Sequence, residues 1–136
     1  MVDQVIQACE ACYDAHIGDC SGFARAVADR VGIVLEGNAD AIADLLEAES
    51  GGWTKLAGGP AAAAAAGSGK LVLGALRGDR QEVPDAHGHV VVVVAGPLNR
   101  GLYPTAYWGS LAGNPGKDKT INWAWTEADR EKVVYA

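Results

Sequence analysis

The sequence predicts an α+β fold, N-terminal helices packed on an antiparallel β-sheet. Apolar residues recur at helical spacing through the first half of the chain, and β-branched runs replace them after residue 70. The helices come first and the strands follow, which is the α+β order. No internal repeat or linker interrupts the chain, so residues 1–136 are expected to form a single catalytic domain.

Val2 to about Ala15 carries Val5, Cys9 and Cys12 at helix spacing. Asp19 is the expected N-cap of a second helix running to Val31, with Phe23, Val27 and Val31 on one face and Gly32 as its stop. A third helix is predicted over 38–47, capped by Asn38, with Ile42, Leu45 and Leu46 facing inward. Ala61 to Ala66 follow Pro60 and precede Gly67, which predicts a short surface helix. KLVLGAL (70–76), HVVVVVA (89–95) and YPTAYWG (103–109) are strand-like and separated by turn signals. The valines at 90–94 do not alternate with polar residues, so that strand is expected at the sheet centre, buried on both faces. INWAWTEADREKVVYA is expected to hold a strand, a tight turn and a final edge strand ending at Val134 or Tyr135.

A net charge of -6 argues against nucleic acid or an anionic membrane as partner, since both reward a basic face. No run approaches the roughly 20 apolar residues a bilayer span needs. MVDQVIQACEACYD has neither a basic n-region nor an uninterrupted apolar stretch, so no secretory signal peptide is expected there.

The residues with chemistry in them are few. Cys20 stands in the first turn of the predicted second helix, where unpaired backbone N–H groups favour a thiolate; Asp19 opposes this by charge. Ser21 and Gly22 are small enough to leave room for a substrate. The alternative for Cys20 is a buried structural cysteine. A nucleophilic cysteine needs a base, and the chain has three histidines, His16, His87 and His89. His89 opens the valine strand, where a rigid backbone would fix its ring. His87 and His89 share a strand face and with Asp85 have the chemistry of a metal site. Cys9 and Cys12 form a C-x-x-C pattern, but inside a helix with no preceding strand, where packing explains them better than redox chemistry. GSGKL at 67–71 fails the phosphate-loop pattern at Ala64 and Leu71. Trp53, Trp108, Trp123 and Trp125 are candidates for lining a cleft or for the core.

The order of Cys20 at a helix start and His89 at a strand start is that of papain-like and NlpC-type cysteine peptidases. More closely, DCSGFARAVADRVG, GNADAIADLLEAESGGWTKLA, HGHVVVVVAGPLNRGLYPTAYWGSLAG and WTEADREKVVYA resemble, in order, blocks of the type VI secretion amidase effectors of family one. The resemblance runs from about Asp3 to Tyr135 and implies the papain-like fold. It implies hydrolysis of the γ-D-glutamyl–meso-diaminopimelate amide of peptidoglycan stem peptides, with Cys20 as nucleophile and His89 as base. It further implies the Cys20 backbone N–H as an oxyanion donor, with no metal or cofactor. A third group that orients the imidazole is expected near AYWGS, where Trp108 occupies the aligned place and Tyr107 or Ser110 are the alternatives. Delivery by injection into a rival's periplasm, a cognate immunity protein, a secretion-apparatus partner and a monomeric state are implied too. An acyltransferase, a peptidase for another substrate and a non-catalytic peptide-binding module share the same Cys-His pair.

Overall fold

The computed structural model describes residues 3–136. The expected helix start at Val2 lies outside them. The first helix, α1, spans Asp3–Cys12 and breaks into a 3-10 turn over Asp14–His16. The next, α2, spans Cys20–Arg30, and the Asp19 carboxylate caps it by accepting from the Gly22 N–H at 3.1 Å. Asn38 caps α3 (Ala39–Glu47) in the same way, accepting from Ala41 N–H at 2.9 Å. Both caps fall where the sequence placed them, because an Asx side chain answers an otherwise unpaired first-turn donor. The alanine run forms α4, Gly59–Gly67, with proline in its first turn.

Five strands follow, β1 (Val72–Leu76), β2 (His89–Val93), β3 (Thr105–Trp108), β4 (Gly116–Thr120) and β5 (Val134–Tyr135), with a one-turn helix, α5 (Glu127–Arg130), before the last. They form one antiparallel sheet in the order β4-β3-β2-β1-β5. The valine strand is therefore central, as its unbroken apolar run predicted. Val90, Val92 and Val94 face one core with Leu73, Ala75 and Tyr107, covered by Phe23, Val27, Ile42 and Leu46 of α2 and α3. Val91 and Val93 face a second core with Val72, Ala106, Trp108, Ile121 and Trp125.

Two expectations are corrected. The alanine helix is not only a surface element: Ala62 and Ala66 are buried and close the second core. The segment after residue 120 holds no strand before β5; Ile121–Trp123 is a 3-10 turn leading to α5. The strand lies earlier, in GKDKT, where Gly116 is buried but residues 117–119 are exposed at the sheet edge, so no hydrophobic alternation marks it. Among the described residues, no helix is long and apolar enough to cross a membrane.

Candidate active site

The start of α2 and the start of β2 meet at one end of the sheet. Cys20 and His89 line the same pocket, about 320 Å³, together with Gly88, Ser110, Leu111, Asn114, Trp125 and Asp129. A larger cavity of about 750 Å³, around Trp53 and Lys70, is lined by no cysteine and no histidine.

Local sterics fix this approach. Gly109, just after β3, passes so close to the loop before Cys20 that a β-carbon there would collide with the carbonyl oxygens of His16 and Asp19. The neighbouring Ser110 N–H donates to the Ile17 carbonyl at 2.9 Å, tying the end of β3 to that loop. Gly22 is small for a different reason from the one expected. A β-carbon there would meet the capping carboxylate of Asp19, so the glycine makes room for the helix cap.

The Cys20 thiol is buried, 8% exposed, and donates to the Gly88 carbonyl at 4.0 Å. Burial pushes it above the ordinary thiol value, and the Asp19 charge adds to this. The N–H groups of Val90, Ser21 and Cys20 itself pull the other way, and burial wins. The helix start, expected together with His89 to make Cys20 a thiolate, is thus outweighed by burial. The Cys20 N–H makes no backbone hydrogen bond among the described residues, as suits the first position of a helix, and acts on its own sulfur.

His89 is partly buried, its ring edge-on to Trp108 (centroids 6.3 Å apart) and Trp125 (5.2 Å). Desolvation holds the imidazole down to about 4, so it is neutral at pH 7 and able to accept a proton. Because His89 binds its proton more weakly folded than at its ordinary 6.5, stability is present in full above about 6.5 and is lost as pH falls through about 4. The loss is at most about 3 kcal/mol. Urea unfolding at pH 7 and pH 4.5 should therefore show a smaller acid loss in His89→Gln than in wild type. Equal losses would mean that His89 is not buried neutral.

The other candidates separate cleanly. His16 lies beside Gly22, and His87, on the exposed turn before β2, lines the pocket rim with Asp85. Among the described residues, no group of three or more His, Cys, Asp or Glu is placed to hold a metal ion. Cys9 and Cys12 are buried free thiols in the first core. Of the three possible orienting groups, Tyr107 points into the first core and donates its hydroxyl to Glu10, on the opposite sheet face from His89. Trp108 touches the imidazole edge but commits its indole N–H to the Asn114 carbonyl at 2.9 Å. Ser110 alone lines the pocket with a hydroxyl that makes no hydrogen bond among the described residues. Of the four tryptophans, Trp125 lines this pocket, Trp108 is core, Trp123 is 63% exposed and Trp53 borders the larger cavity. The Gly88 carbonyl, Asn114 and Asp129 had no sequence signal, since two turns and the one-turn helix α5 bring them here.

No family model matches the chain. Peptidoglycan amidase Tse1 of Pseudomonas aeruginosa is 40% identical to it over 121 residues, spanning 86% of this chain and 73% of that protein.

Proposed function

The chain belongs to the family of type VI secretion peptidoglycan amidase effectors, and from that premise we propose that it cleaves the γ-D-glutamyl–meso-diaminopimelate amide with Cys20 as nucleophile and His89 as base. The observation that carries this reading is the shared pocket of Cys20 and His89 in a chain so similar to a peptidoglycan amidase.

Burial favours the neutral thiol and the neutral imidazole, so the reaction starts from that neutral pair. His89 takes the thiol proton while Sγ attacks the amide carbonyl carbon. The first-turn N–H of Cys20, which has no backbone acceptor among the described residues, is the proposed oxyanion donor. The C–N bond breaks as His89 returns its proton to the leaving amine, which leaves a thioester on Cys20. His89 then deprotonates water, hydroxide displaces the thiolate, and the D-glutamyl carboxylate leaves. Of Trp108, Tyr107 and Ser110, we assign the orienting role to Ser110, which shares the pocket with His89 and whose hydroxyl makes no hydrogen bond among the described residues.

Family membership also supports delivery by injection and action in a target cell's periplasm, with an immunity protein guarding the producer. The test is digestion of diaminopimelate-type sacculi, with soluble fragments identified by mass spectrometry. New ends at D-glutamate and diaminopimelate are expected. Ends at another bond would replace the proposed substrate bond, and intact sacculi would remove the amidase reading.

A further inference from the structure

The segment that buries Ile121 and Trp125 in the second core leaves another indole in water. Trp123, between them, is 63% exposed. Among the described residues it is the one exposed Phe, Tyr or Trp side chain. A single exposed apolar side chain is ordinary by itself. The position of this one is not. Ala124 and Trp125, which follow it directly, line the Cys20–His89 pocket. So does Asn114, whose side-chain amide donates to the Trp123 carbonyl at 3.1 Å. The exposed indole therefore stands on backbone tied to the rim of that pocket.

The groups beside it are polar. Lys119, on the edge strand β4, holds its ammonium over the ring, 5.9 Å from the centre. An exposed cation–π pair is weak, so the ammonium yields the ring face at little cost. A protein hot spot sets its aromatic anchor among further apolar groups that exclude water. Strand β4 offers exposed Lys117, Asp118 and Lys119 here instead. An open aromatic face with an ammonium and a carboxamide beside it suits a pyranose sugar. The C–H face of such a ring packs on an indole, and its hydroxyl and acetamido groups hydrogen-bond at the edge.

We propose that Trp123 is a glycan platform, its indole stacking on an N-acetylhexosamine of the glycan strand that carries the stem peptide. This deepens the amidase reading and rests on it. A stem peptide hangs from the glycan by its N-terminal end. The proposed scissile amide lies two residues and a lactyl link from the sugar, roughly 10 Å of extended chain. A sugar must therefore lie close outside a pocket that holds this bond, and Trp123 is the exposed aromatic side chain on its rim.

The test uses two soluble substrates, a disaccharide-tetrapeptide of the diaminopimelate type and the same tetrapeptide without sugars. Wild type should cleave the sugar-bearing peptide with about tenfold higher kcat/KM, the size of one stacking contact. Trp123→Ala should lose that tenfold on the sugar-bearing peptide and keep wild-type kcat/KM on the bare one. Trp123→Tyr should recover most of the loss, because another aromatic face suffices for stacking. Urea midpoints of wild type and Trp123→Ala should agree, since most of the side chain is in water. Calorimetry in a Cys20→Ala background should show the same tenfold in Kd, for the sugar-bearing peptide alone. Equal losses on both substrates would overturn the inference and make Trp123 part of the peptide site. Wild-type kcat/KM for Trp123→Ala on both would also overturn it and leave the exposed indole to a protein partner. A wild type that cleaves neither substrate would overturn this inference and the amidase reading together. Cleavage of the bare peptide by wild type separates the first two results from that one.

Discussion

Replacing Cys20 by alanine should lower peptidoglycan hydrolysis by about 10⁴-fold or more while the protein stays folded. The reason is local. Cys20 is the one cysteine that lines the pocket, since Cys9 and Cys12 are packed in the first core. Alanine removes only Sγ, whose hydrogen bond to the Gly88 carbonyl is long at 4.0 Å, and leaves the Asp19 cap and the apolar face of α2 untouched. The stability cost should therefore stay near 1 kcal/mol. Turbidity loss of sacculi reads the activity, and urea unfolding reads the fold. A variant that keeps even a hundredth of the wild-type rate would point to a nucleophile other than Cys20.

His89→Asn should lower kcat by roughly 10²–10⁴-fold, the usual contribution of a positioned base. Asparagine is chosen because the ring fills space between Trp108 and Trp125, and complete truncation would leave a hole there. The pH dependence gives a second readout. In wild type the imidazole is unprotonated above about 4, so the base is available across neutral pH. In the variant the thiol must lose its proton to solvent, and burial holds that thiol above its ordinary range. Residual activity should then climb tenfold per pH unit through neutrality, where wild type is nearly flat. A flat profile in His89→Asn would assign the base to another group, with His87 on the same pocket rim as the next candidate.

What could be read from the sequence follows from how local each signal is. Asp19 and Asn38 were legible as caps because an Asx residue ahead of helically spaced apolar residues has one dominant use. The centrality of β2 was legible because five consecutive valines leave no polar face to solvate. Strand β4 was not, since the edge position leaves Lys117, Asp118 and Lys119 in water and erases the alternation. The inward face of α4 was hidden because identical alanines carry no polarity pattern, and only the second core distinguishes Ala62 and Ala66 from their neighbours. At the site, Cys20 and His89 were readable from residue type and position. Their protonation was not, because it depends on burial, which only the packed fold sets. The separation of Ser110 from Tyr107 likewise depends on the fold, since Tyr107 faces the first core from β3 while Ser110 lies past the strand's end, at the pocket.

The most direct test of the central claim is to trap the acyl-enzyme. His89→Asn, in which the proposed thioester should hydrolyse slowly, would be incubated with an activated ester of a D-glutamyl stem dipeptide, quenched in acid and digested, and the modified residue located by mass spectrometry. The account predicts a thioester on the peptide containing Cys20, absent from a Cys20→Ala control. Peptide label on Cys9, on Cys12 or on no cysteine, with sacculi still cleaved by the wild type, would contradict it.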